Sequence, residues 1–250
     1  MIKKIIKKIF NLLGCEIIST KYIVLPPDAF EDQRKIFADQ DSVIIFDVGA
    51  HHGQTALAYN KLFKASQIYS FEPFGESYTA LTNTVKSFGN IQAFNTALSN
   101  ITGEVDFHSN QSSATNSIFA THQEGAAIWD VDLLDTINKI KVPVTTIDAF
   151  IETHNIPNID ILKIDTQGAE YLVIEGALSS IKAGKVKLIY MEILTLPTYE
   201  NQKKFDEILL LLRTNSFELY NIYNTSQTKN GLLRQLDAVF VNSQIKFLIP

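Results

Sequence analysis

The feature that most constrains this chain is an alternation of short apolar runs with stretches of helical period. Val43-Ile44-Ile45-Phe46, Gln67 to Phe71, Ile91 to Phe94, Ile159 to Ile164 and Val186 to Ile193 read as strands. Helical patterns lie between them at 54–64, Glu76 to Ser87 and Ala169 to Lys182, with others at Ile147 to His154 and Phe205 to Arg213. Strands that are apolar on both faces and separated by helices belong to a mostly parallel sheet covered on both sides. Two closing strands, Phe217 to Tyr223 and Leu236 to Val241, have no helix between them and predict an antiparallel hairpin at one edge. The expected fold is therefore α/β, with seven strands and helices on both faces. Between about 100 and 145 the pattern changes to short β-like pieces, Glu104 to Phe107 and Ile140 to Val144, around a polar loop.

No Pro/Gly/Ser-rich linker divides the 250 residues. We therefore expect one domain over 42–250, preceded by a lead-in over 1–41. In that lead-in, Ile2, Ile5, Ile6, Ile9, Phe10, Leu12 and Leu13 recur at helical spacing opposite Lys3, Lys4, Lys7 and Lys8. Such a basic amphipathic helix over 1–13 either packs its apolar stripe on the domain or touches an anionic membrane surface weakly. Lysines interrupt it too often for a signal-peptide core. The longest aliphatic run, Ile208 to Leu212, is far short of a membrane span.

Residues 1–21 carry five lysines against one glutamate, which leaves about −9 of the total −5 on the remainder. An acidic body is a poor partner for nucleic acid, because binding phosphates needs a basic face. Cys15 is the only cysteine, so neither an intrachain disulfide nor a cysteine-cluster zinc site can form. The expected location is cytoplasmic, at most peripheral at the inner membrane surface, and no metal site is expected.

In open α/β sheets, ligands bind outside the carboxyl ends of the strands. The first strand ends Asp47-Val48-Gly49-Ala50-His51-His52-Gly53, a turn whose glycines let the backbone approach a ligand. The second strand ends in Glu72, nineteen residues past Gly53, where an acid accepts hydrogen bonds from both ribose hydroxyls. The dinucleotide fingerprint Gly-x-Gly-x-x-Gly is missing, because His51 and His52 stand between the glycines. An acidic, imidazole-lined turn suits a cationic adenosine without phosphate, such as S-adenosylmethionine.

The segment Ile159-Asp160-Ile161-Leu162-Lys163-Ile164-Asp165-Thr166-Gln167-Gly168-Ala169-Glu170 carries the strongest chemical signal. Lys163 and Asp165 lie two residues apart and so on one face of a buried strand. A charged pair there needs a partner or a ligand to offset desolvation. Glu192, near the end of the fifth strand, adds a carboxylate to the same rim.

These motifs, with Phe-Glu-Pro at 71–73 and Ala-Leu-Ser-Asn at 97–100, resemble the FkbM-type methyltransferase family from about Val43 to Val241. The resemblance implies a seven-stranded class I methyltransferase fold and S-adenosylmethionine as cofactor; several family members methylate sugar hydroxyls. It places Asp47, Gly49, Ala50, Gly53, Glu72, Pro73, Ala97 and Leu98 at the cofactor. Lys163, Asp165, Gly168 and Glu170 match its fourth-strand motif. The chain departs from the family where His51 replaces the usual Asn, Asn100 an Asp and Gln167 a Glu.

Methyl transfer to an aliphatic hydroxyl requires a general base. Asp165 is the first candidate, with Glu192 and His51 behind it and Lys163 beside it. The polar stretch Ser109 to Ser117 is expected to act as a lid and suits a carbohydrate acceptor. The alternatives are a nicotinamide-dependent oxidoreductase and a non-catalytic glycan- or partner-binding protein on the same fold.

Overall fold

The computed structural model describes residues 27–40, 42–129 and 132–245. The helix expected over 1–13 lies outside them. Its main sheet has seven strands: β1 (Val43–Val48), β2 (Ser66–Phe71), β3 (Ile91–Phe94), β7 (Ile159–Ile164), β8 (Val186–Leu194), β9 (Phe217–Gln227) and β10 (Leu233–Asn242). Their order is β3-β2-β1-β7-β8-β10-β9. Strands β1, β2, β3, β7 and β8 pair in parallel, and β10 runs antiparallel to both β8 and β9. The expected edge hairpin is present, with its second strand inserted between β8 and β9. This is the class I methyltransferase architecture that the resemblance implied.

Period-two alternation divides the core. Phe46, Val48, Leu162, Ile164, Ile189 and Met191 face one buried cluster. Val43, Ile45, Ile161, Leu188 and Tyr190 face the other. Both faces are covered, which is why these strands read as continuous apolar runs. Helices α2 (Gln54–Leu62), α3 (Gly75–Val85), α5 (Ile147–His154), α6 (Glu170–Glu175), α7 (Leu178–Lys182) and α8 (Phe205–Thr214) follow strands as expected. The helix predicted across 169–182 is broken in two. The Gly176 carbonyl accepts from the Asp148 backbone N–H at 3.0 Å, and the Asp148 carboxylate caps α7 through the Ser179 and Ser180 N–H groups at 2.9 and 2.8 Å.

Two features go beyond the sequence expectation. Helix α1 (Ala29–Ile36), N-terminal to the boundary drawn at 42, packs on the domain. Tyr59 donates to Gln33 at 2.8 Å, Tyr223 donates to Asp32 at 2.9 Å, and Phe30 packs on Tyr59. The region 97–145 forms a second sheet in the order β4-β6-β5, from β4 (Ala97–Leu98), β6 (Thr136–Thr145) and β5 (Gly103–Asn110). Short helix α4 (Gly125–Trp129) lies between β5 and β6. Among the described residues no helix is long and apolar enough to cross a membrane.

Candidate active site

Strand order reverses between β1 and β7, and a cavity of about 250 Å³ opens at their carboxyl ends. Loops after β1, β2 and β7 wall it on one side, and the second sheet and its lid wall it on the other. Gly49 is the point of closest approach. Its φ is +72°, and a Cβ there would lie 1.7 Å from the Asp165 carbonyl oxygen, so only glycine lets the β1 turn cross the end of β7. Gly53, at φ +89°, serves packing rather than ligand approach, since its face meets Leu81, Thr84 and Val85 of α3.

Glu72 is buried and lines the cavity. One carboxylate oxygen accepts the His51 N–H and the other the Phe74 N–H, each at 2.9 Å. Burial outweighs those bonds and pushes its pKa up to about 7. A carboxylate so poorly solvated gains from further donors, which a ribose diol supplies. Ala50, Pro73, Ala97 and Leu98 also line the cavity, and Phe71, Phe107 and Ile118 add apolar surface suited to a flat base. The residues present therefore fit an adenosine cofactor.

Asp47 does not reach the cavity. Its carboxylate is fully buried, 3.2 Å from the Lys163 ammonium. Lys163 also donates to the Gly49 carbonyl at 2.9 Å and lies 3.7 Å from the Asp165 carboxylate. Burial alone would depress the lysine's pKa, but Asp47 and Asp165 outweigh it and raise it, so the ammonium stays charged. The pair thus ties the turn after β1 to β7, and Asp47 acts on the site through Lys163.

Asp165 lines the cavity with its side chain partly exposed. Gln167 holds it: one amide nitrogen donates to Asp165 Oδ1 at 2.9 Å and to Glu192 Oε2 at 2.8 Å. Glu192 lies behind this amide, outside the cavity that Asp165 lines. Burial, and then Asp165 and Glu170, raise its pKa well above the carboxylate range. Gln167 itself has φ +55°. That turn is clasped by Glu170, whose Oε1 accepts the Thr166 and Gly168 N–H groups at 2.9 and 3.1 Å. Burial raises the pKa of Glu170 to about 7 as well.

His51 lines the cavity with its Nε2 2.9 Å from Ser113 Oγ, stacked on His52 at 3.7 Å. Burial, then His52, lowers its pKa and keeps it neutral. Ser113 belongs to the polar lid stretch, which does close over the cavity: Ser113, Ala114 and Asn116 all line it. Tyr199 went unnoticed in the sequence, yet its hydroxyl lies 2.8 Å from the Thr115 carbonyl and 3.1 Å from Gln167 Oε1. It pins the lid to the Gln167 turn. No local signal marks it, since its partners are distant in sequence. Among the described residues no group of three or more His, Cys, Asp or Glu is arranged to hold a metal ion.

The family model described as Methyltransferase FkbM domain matches residues 47–219. The chain belongs to the FkbM methyltransferase family. Its methyl donor is S-adenosylmethionine. Membership decides against the nicotinamide-dependent alternative. The 2-O-methyltransferase NoeI of Sinorhizobium fredii is 24% identical over 215 residues, 84% of this chain and 87% of that protein. Among solved structures, precorrin-6y C5,15-methyltransferase from Geobacter metallireducens is 12% identical, with a TM-score of 0.45 over 90% of this chain and 93% of that one. TrmK of M. capricolum, solved with S-adenosylhomocysteine, is 11% identical, with a TM-score of 0.46 over 92% of this chain and 70% of that one.

Proposed function

We propose that this FkbM methyltransferase acts on a hydroxyl of a sugar or similar small polyol, with Asp165 as general base. The observation that carries the reading is the position of Asp165. Its carboxylate lines the cofactor cavity beneath a lid of hydroxyl and amide side chains, with Oδ1 held by Gln167. Oδ2, which faces the Lys163 ammonium at 3.7 Å, is left to take a proton.

S-adenosylmethionine supplies the electrophilic methyl carbon. The chain's own part is to bind the adenosine end through Glu72 and the apolar wall, to exclude water with the lid, and to hold the acceptor hydroxyl in line. An aliphatic hydroxyl loses its proton as the new bond forms, so a positioned carboxylate suits it. The relative NoeI, named a 2-O-methyltransferase, supports oxygen as the methylated atom.

The test is incubation of the full chain with S-adenosylmethionine and a panel of glycosides, nucleotide sugars and non-sugar alcohols. Products are read by mass spectrometry for the gain of one methyl. A methyl ether on a sugar oxygen is the expected result. Methylation of nitrogen or carbon alone would overturn the reading, as would no transfer to any hydroxyl. The last outcome is also what a non-catalytic binding protein would give.

A further inference from the structure

A second cavity, of about 180 Å³, lies on the other side of the Gln167 amide from the cofactor cavity. The two share Gln167 and Ala114 in their walls, so this side chain is the partition between them. Trp129, Leu133 and Leu134 give the second cavity an apolar wall, and Glu192, Thr198 and Gln235 give it a polar one. Each polar group is fixed in place. Glu192 accepts from the Gln167 and Gln235 amides, one to each oxygen, and the Trp129 indole N–H donates to Thr198 Oγ1 at 3.1 Å. The Arg234 guanidinium lies 4.4 Å over the Trp129 ring and holds it in position.

We propose that this second cavity is the acceptor site, and that it takes one neutral pyranose ring. The inference rests on the reading of the chain as a sugar O-methyltransferase and names the place and kind of sugar. A pyranose has an apolar C–H face and a rim of hydroxyls. The first matches an indole, whose negative π face attracts polarised C–H groups, and two leucines. The second matches a carboxyl, an amide and a hydroxyl whose positions are preset. The volume is below the roughly 300–1,000 Å³ of sites for drug-sized ligands, which leaves room for a single ring. Charge also selects. Among the described residues no lysine or arginine lines the cavity, so a uronic or phosphorylated ring would find no cation in its wall. Arg234, the cation nearest the indole, is engaged with Trp129, Ser226 and the Ile128 carbonyl. A hydroxyl extending past Gln167 would meet Asp165.

Trp129 is the only tryptophan in the chain, so its emission reports on this cavity alone. The experiment titrates full-length protein, saturated with S-adenosylhomocysteine, with a panel of neutral methyl hexopyranosides and deoxyhexopyranosides. The expected result is a saturable emission change with at least one of them. That response should weaken at least tenfold in Gln235→Leu and in Leu133→Arg, with S-adenosylhomocysteine affinity unchanged by calorimetry. Leu133 is exposed, so the arginine blocks the cavity without threatening the core. The proposal is overturned if no pyranoside alters the emission, or if both variants keep the response. Should a pyranoside be methylated with the same KM by wild type and both variants, the sugar reading stands and this site is wrong. Should only non-sugar alcohols be methylated, both are wrong.

Discussion

Lys163 and Asp47 form an ion pair, 3.2 Å apart, in which the Asp47 side chain is fully buried and that of Lys163 is 7% exposed. Lys163 spans from this carboxylate to the Gly49 carbonyl and toward Asp165, so one ammonium joins β1, its turn and β7. Removing one member of a buried pair leaves the other uncompensated and costs about 3–5 kcal/mol. Lys163→Met should therefore lower the free energy of unfolding by about that much in urea titration. Adding Asp47→Asn to it should restore a large part of the loss, because no buried charge then lacks a partner.

Gly49 and Gly53 should respond differently to the same substitution. Gly49→Ala puts a methyl into the Asp165 carbonyl as well as straining a left-handed backbone, and the ends of β1 and β7 would have to part. Thermal melts should show a large loss or no folded protein. Gly53→Ala meets first the Leu81 side-chain methyl, at 2.9 Å, which can move. It should cost about 1–3 kcal/mol, mainly from backbone strain, and keep cofactor binding.

The contrast also shows what a sequence can disclose. Strands β1, β7 and β8 are legible because two-sided burial writes an uninterrupted apolar run into adjacent residues. Helix α5 has a local N-cap, with Thr146 accepting from the Ala149 N–H, and its bounds match the expectation. The cavity-facing rim was legible in Glu72 and Asp165, since strand ends locate it. The inward roles of Asp47 and Gly53 were not. They depend on what lies across the fold, Lys163 for one and Leu81 for the other. Nor was the second cavity, whose wall combines Trp129, Gln167, Glu192 and Gln235 from four separate elements. Helix α1 escaped notice because most of its residues are polar and two of them, Asp32 and Gln33, face inward, bonded to Tyr223 and Tyr59.

The chemistry should depend on Asp165 more than on any other carboxylate. Asp165→Asn keeps the bond from Gln167 and the local shape but cannot take a proton. Turnover should fall by about 10²–10⁴-fold while S-adenosylhomocysteine affinity stays within a few-fold. If Glu192→Gln abolishes turnover and Asp165→Asn does not, Glu192 is the base.

Glu72 and Glu170 each have a folded-state pKa near 7, against an ordinary value of 4.5. The folded state therefore holds these protons more tightly than the unfolded chain, and stability falls as pH rises from about 4.5 to about 7. Urea midpoints of the ligand-free protein should decrease across that window. Glu170→Gln, which keeps an acceptor for the Thr166 and Gly168 N–H groups, should flatten part of the slope.

The central claim is that the cavity at the ends of β1, β2 and β7 holds the adenosine end of the methyl donor through Glu72. Titration calorimetry with S-adenosylhomocysteine tests it without knowledge of the acceptor. Charge-assisted hydrogen bonds contribute about 1.5–3 kcal/mol each, and 1.4 kcal/mol is a factor of ten in affinity. Glu72→Ala should weaken binding at least tenfold with the circular dichroism of the fold retained, and Asp165→Asn should not. Unchanged affinity in a folded Glu72→Ala protein would contradict the account.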